Sequence, residues 1–345
     1  MTDEVRQPWP ARADQPWPPG AATGIGSLPG ADPNEALRLV LDELPDLPHL
    51  PELPNRGPGA DMIGRTAALL TELPVEIQPS GWRFTAHPGR DQRRARDFLA
   101  YDLDALAVEA QGYDGAFKVQ CVGPLTLAAG IELPSGHRAV SDHGAVADIA
   151  ASLAEGLAEH LGKVRAVLPA ARVVVQLDEP SVPGVIGGRV PTASGYGTIR
   201  SVADTVVEQR LTDVLAVVPA GFRVVHCCAA DAPLELFRRA GADAVAVDLD
   251  QIGNLDVLGE LIDVGVDLWL GAVPTSGETD EPADALYRRA SERIVTLWRT
   301  LGFPDADLPR RVVPTPACGL AGASEVYART AMRAVRDTAQ ALTDL

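Results

Sequence analysis

The stretch Val224–Asp231, VVHCCAAD, ends an apolar β-type run in His226, Cys227 and Cys228. Side chains two apart on a strand share a face, so His226 and Cys228 point the same way and Cys227 the other. Working outward, GADAVAVDLD (241–250) closes another such run on Asp248, and VVPTPACGL (312–320) carries Cys318 just past the end of a third. Upstream, QLDEPS (176–181) ends a run on Asp178 and Glu179, CVGPLTLAAG (121–130) continues one, and GIGSLP (24–29) ends one. Between them lie amphipathic helical patterns at Asn34–Glu43, Asp91–Gln111, His143–Leu168, Ser201–Val218, Pro233–Ala240, Pro282–Leu301 and Glu325–Leu345. Short strands alternating with longer helices give parallel strands joined by crossover helices.

The candidate strands are Thr23–Ser27, a stretch near Leu47–Leu53, Ala116–Cys121, Arg172–Asp178, Arg223–Cys227, Ala244–Asp248, Val266–Gly271 and Arg311–Pro314. Eight of them predict an α/β fold closed as a (β/α)8 TIM barrel, whose carboxyl strand ends converge on the rim where barrel active sites lie. The second strand is the weakest, because HLPELPNRGPG (49–59) is proline-rich and SGWRFTAH (80–87) competes for the place. The earlier stretch is preferred here, with Trp82–Ala86 in an inserted hairpin.

Residues 21–345 are expected to form this single barrel, after a flexible Pro/Trp-rich tail over residues 1–20 with two QPWP repeats. The repeats either dock Trp9 and Trp17 on a partner or on the barrel, or belong to a loose terminus. With 46% hydrophobic and 22% charged residues the composition is that of a globular enzyme. A formal charge of -17 without a basic cluster argues against nucleic acid and anionic membranes as partners. No apolar run is long enough to span a bilayer, and the amino terminus lacks a secretory h-region, so a cytoplasmic location is expected. The four cysteines, Cys121, Cys227, Cys228 and Cys318, do not form a secreted disulfide pattern.

One imidazole and two thiols, with a carboxylate on a neighbouring strand end, suit Zn²⁺ rather than Mg²⁺ or Ca²⁺. The expected ligands are His226, Cys228, Asp248 and Cys318. Because they come from scattered strand ends and not from CxxC knuckles, the site reads as catalytic. The other reading of the same residues is a set of core cysteines and a core histidine. A metal makes a thiol nucleophilic by removing its proton, whose pKa is otherwise about 8.5. Asp178 either binds the ammonium group of an amino acid or orients the metal site, and the amides and hydroxyl of the Ile25–Gly26–Ser27 turn either receive a carboxylate or simply form a tight turn. His49, His87, His137, His143 and His160 have no partner spacing and are expected to be structural or solvated.

From about residue 21 the chain resembles the catalytic, carboxyl-terminal half of cobalamin-independent methionine synthase, including stand-alone forms of that half. GIGSLP resembles the family's IGS turn, VGPLT its GPVT strand end, QLDEPS its DEPA motif, HCC its HxC zinc pair and PACGL its PDCGL zinc cysteine. The resemblance implies a uroporphyrinogen decarboxylase/methionine synthase-like barrel with zinc at His226, Cys228 and Cys318. It also implies homocysteine contacts from Ile25, Gly26, Ser27 and Asp178, the last as catalytic residue, and puts Asp248 where the family has a glutamate ligand.

The chain departs from the family elsewhere. The pterin-stacking tryptophan falls near Gly130, the Arg-Cys pair for the folate tail has no counterpart, and PNRGPGADM (54–62) replaces the HGE segment, leaving Glu52 or Arg56 as stand-ins for its glutamate. Around LWLGAVP (268–274) the proton-donating histidine is absent, with Gly271 nearby. The function this predicts is a zinc-dependent S-methyltransferase acting on homocysteine or a similar thiol, with a methylated corrinoid or corrinoid protein as donor. The rivals are a corrinoid:thiol methyltransferase with a different thiol and a non-catalytic zinc- or homocysteine-binding protein.

Overall fold

A computed structural model describes residues 15–277 and 282–345. In chain order the helices are α1 (Pro33–Glu43), α2 (Met62–Ala67), α3 (Arg90–Glu109), α4 (Pro124–Gly130), α5 (His143–Val167), α6 (Val182–Ile186), α7 (Asp204–Leu215), α8 (Leu234–Arg239), α9 (Leu255–Asp263), α10 (Ala283–Thr300), α11 (Leu308–Arg311) and α12 (Glu325–Thr343). The long helices match the amphipathic patterns to within a few residues. Capping explains several of their starts: Asp32, Asp142 and Ser324 each accept a hydrogen bond from the first turn of α1, α5 and α12.

A six-stranded parallel sheet runs β3 (Ala116–Val122), β4 (Arg172–Asp178), β5 (Arg223–Cys227), β6 (Ala244–Asp248), β7 (Asp267–Val273) and β8 (Val312–Pro316), in sequence order. The register sets Val122 beside Asp178, Asp178 beside His226, His226 beside Ala246 and Asp248 beside Gly271. The sheet is curled into a half-barrel, since Ala116 of β3 and Val313 of β8, from its opposite edges, share one core cluster with Val174, Val224, Ala246 and Trp269. On the outer face Val119, Val175, Val225, Val245 and Leu268 belong to the larger core that also includes the helices. Strands buried on both sides, with an apolar outer face under the helices, are what a parallel sheet of this kind requires.

The expected first and second strands are extended segments making isolated bridges and not ladder strands. Thr23 N donates to Pro314 O at 3.3 Å, Ser27 bridges Glu52 in parallel, and His49 bridges Lys118. Proline explains why the second stays short: Pro48, Pro51 and Pro54 have no N–H to donate. The competing stretch forms an antiparallel hairpin instead, β1 (Val75–Gln78) with β2 (Gly81–Phe84).

The second QPWP repeat is packed. Trp17 is 3% exposed and meets Trp269 edge-on, ring centroids 5.3 Å apart, beneath Ala21 and Leu47 at the amino-terminal end of the sheet. Gln15 and Gly20 tie the segment to Arg310 O and Pro309 O. Trp9 lies outside the described residues. Among the described residues no helix is long and apolar enough to cross a membrane.

Candidate active site

The carboxyl ends of β5 and β8 bring His226, Cys228 and Cys318 together, with their ligand atoms all within 4.8 Å of one another. The two sulfurs are in hydrogen-bond contact at 3.2 Å, and neither cysteine is in a disulfide. Alternation on β5 turns His226 inward and Cys227 outward; the thiol of Cys227 is buried among the apolar core residues and kept protonated, pushed up to about 12 by that burial. The contact between the two sulfurs lowers the pKa of the Cys318 thiol and raises that of Cys228.

Cys318 reaches this position because the chain leaving β8 stays close alongside β7 past a register shift between Gly271 and Val273. Ala317 N donates to Val273 O at 2.8 Å, and a Cβ on Gly271 would stand 2.6 Å from the Cα of Ala317. Only glycine fits there. On the other side Leu320 N donates to Ser27 O at 2.8 Å, and a Cβ on Gly319 would stand 2.1 Å from Ser27 Oγ. The Ile25–Ser27 turn therefore packs directly on the Cys318–Gly319 turn.

His226 is 3% exposed and its Nδ1 lies 2.7 Å from Asp178 Oδ1. Its Nε2 is buried and, among the described residues, has no hydrogen-bond partner. A buried ring nitrogen without a partner carries a desolvation cost unless something binds it. A free Nε2 beside two thiols matches the donor set that zinc prefers, and the carboxylate on Nδ1 is the partner that commonly orients such a histidine. The residues present fit the metal.

Asp248 is not part of that group. Its Oδ1 accepts from Asp250 N at 2.9 Å, capping the turn after β6, and the side chain lines a cavity of about 330 Å³ with Cys227, Asp231 and Asn254. Burial raises its pKa. A short carboxylate at a strand end competes for the nearest backbone N–H, and here that local bond wins.

Ile25 O accepts from Lys118 Nζ at 2.7 Å and from Gln176 Nε2 at 2.8 Å, while Gly26 lies so close to Gln120 that a Cβ would stand 2.9 Å from its amide nitrogen. Asp178 also accepts from Gln176 Nε2 at 2.8 Å. Glu52 is buried, receives Gln120 Nε2 at 3.2 Å and faces Arg65 at 3.8 Å, and burial pushes its carboxyl up to about 7. Arg56 is held away by Asp102, which also pairs with Arg65. Glu179 accepts from Leu125 N, Thr126 N and Thr126 Oγ1, anchoring the start of α4.

Sequence reading did not single out Lys118, Gln120 and Gln176. Their signal is polar residues at every second position of otherwise apolar strands, Lys118-x-Gln120 and Gln176-x-Asp178. Nor did it single out His49, which is wholly buried under Gly24 and whose pKa burial lowers.

A family profile described as the catalytic domain of cobalamin-independent synthase matches residues 107–341. The chain belongs to this family. Among solved structures it is similar to a B12-independent methionine synthase from Shewanella sp. W3-18-1 in complex with selenomethionine, at 14% identity, covering 94% of this chain and 98% of that one, with a TM-score of 0.58. A looser likeness, TM-score 0.36 at 9% identity over 80% of this chain and 82% of the other, is to a β-1,4-D-mannanase from Cryptopygus antarcticus. No curated protein matches the chain. Membership of the cobalamin-independent synthase family makes the chain a methionine synthase-like catalytic domain, and the description gives no support to the expected corrinoid donor.

Proposed function

We propose that the protein is a zinc-dependent S-methyltransferase that methylates homocysteine or an amino-acid thiol of its class. The observation that carries this reading is the partnerless Nε2 of His226 beside the sulfurs of Cys228 and Cys318. These three residues would hold the metal, which would then make the substrate thiol nucleophilic; Asp248 Oδ1 accepts from the N–H of its own turn and is not taken as a ligand in this reading. Zinc, when bound, lowers the pKa of a thiol from about 8.5 so that it is deprotonated at neutral pH.

The chain's own residues do the rest. Asp178 keeps the proton of His226 on Nδ1, which leaves Nε2 as the donor atom. The Ile25–Gly26–Ser27 turn, packed on the Cys318 turn, receives the amino-acid end of the substrate and aims its sulfur. The sulfur's bond to the methyl group forms as the donor's bond to it breaks, with the electron pair left on the donor. The family favours a methylated folate as donor. A methylated corrinoid remains the second reading, supported by Gly130 standing where the family stacks a pterin on tryptophan.

This reading also takes residues 21–345 as one cytoplasmic catalytic unit, with the segments around 23–27 and 48–52 as the first two staves of an eight-membered barrel. The test is incubation of zinc-loaded protein with homocysteine and either methyltetrahydrofolate or methylcobalamin, reading methionine by mass. Methionine from either donor supports the assignment and names the donor. Tight zinc and thiol binding with no methionine from either would reduce the protein to a binding function.

A further inference from the structure

The inward face of β3 carries Lys118 and Gln120, and that of β4 carries Gln176 and Asp178. Lys118 is fully buried, and its ammonium donates to Ile25 O at 2.7 Å, Gln176 Oε1 at 2.8 Å and Gln120 Oε1 at 3.4 Å. Both glutamines then turn their NH2 groups the other way. Gln176 Nε2 donates to Asp178 Oδ1 and to Ile25 O, and Gln120 Nε2 to Leu50 O and Glu52 Oε1. A carboxamide accepts at one end and donates at the other, whereas an ammonium only donates. The lysine on the oxygen end of Gln176, together with Ile25 O on the nitrogen end, therefore sets the NH2 group toward the carboxylate.

We propose that Lys118 is a positioning residue for the metal centre: through the amide of Gln176 it holds Asp178 on Nδ1 of His226, and so keeps Nε2 directed at Cys228 and Cys318. This rests on the reading of that trio as a zinc site. Among the described residues no other hydrogen-bond donor meets Gln176 Oε1. Without the ammonium the amide oxygen loses its buried donor, and the amide, held only through its NH2 group by Asp178 Oδ1 and Ile25 O, can tilt and loosen its hold on the carboxylate. The chain Lys118–Gln176–Asp178–His226 is buried at every member, so its geometry is dictated from within the protein.

Zinc affinity, measured by chelator competition on the full chain, tests this in wild type, Lys118→Met, Gln176→Met and the double variant. Methionine has nearly the length of either side chain and donates nothing. Each single variant is expected to weaken zinc about 10-fold, the lower end of what loss of an outer-shell partner costs. The double variant is expected to be no weaker than the singles, because both changes cut the same link. Cobalt-substituted protein gives a second readout, with the same displacement of the visible bands in both single variants. Wild-type affinity in the singles, or losses that add in the double, overturns the proposal while leaving the zinc site intact. Should Lys118→Met fail to fold by circular dichroism, wild-type affinity in Gln176→Met overturns it alone. A wild-type protein that does not retain zinc fails the zinc assignment itself and takes this inference with it.

Discussion

Asp178 and His226 stand side by side in the register of β4 and β5, and the 2.7 Å contact between Oδ1 and Nδ1 ties two strands at the depth where the sulfurs gather. Because the acid occupies one ring nitrogen, the other is left free and buried. Replacing Asp178 by Asn keeps the shape and removes the charge. Zinc affinity is expected to fall about 10- to 100-fold with little change in unfolding temperature, as read by chelator competition and calorimetry. Unchanged affinity would mean that the contact does not serve the metal.

Gly271 lets the chain leaving β8 lie close against β7. In Gly271→Ala the new methyl would meet the Ala317 backbone at 2.6 Å, and backbone cannot yield as a flexible side chain can. The expected cost is about 1–3 kcal/mol in denaturant unfolding, the range for overpacking a filled core. Zinc retention should fall with it, because Ala317 leads directly to Cys318.

Glu179 gives a pH test. Burial pushes its carboxyl up to about 7 from an ordinary value of 4.5, so the folded protein holds a proton that the unfolded chain has released across that interval. Stability from this group therefore declines as pH rises from 4.5 to 7. Glu179→Gln removes the titration. The unfolding free energy of the variant minus that of wild type should grow more positive over this interval; a flat or falling difference would contradict the assignment.

Much of this was legible in the sequence where side-chain alternation decides the outcome. VVHCCAAD alone separates His226 and Cys228 from Cys227, and the strand ends at Asp178 and Cys318 converge as parallel topology requires. Asp248 was read from its strand-end position, which states where a side chain starts and not which neighbour it bonds; in the structure its Oδ1 accepts from the N–H of Asp250. The second segment before β3 departed from a ladder strand because Pro48, Pro51 and Pro54 withhold donors. The buried polar layer of Lys118, Gln120 and Gln176 was written in the strands, but its meaning depends on amide orientation, which only three-dimensional contacts fix. Trp17 reaches the core although its repeat reads as a tail, because the lower end of the curled sheet offers an apolar face around Trp269.

The most direct measurement is zinc-edge X-ray absorption on the metal-loaded protein, with and without homocysteine. The expected resting site has two sulfur neighbours from Cys228 and Cys318 and one imidazole, and it gains one sulfur when homocysteine is added. Cys318→Ser should remove one sulfur from both spectra. A zinc ion with only oxygen and nitrogen neighbours, or a sulfur count that homocysteine leaves unchanged, would contradict thiol activation at this site.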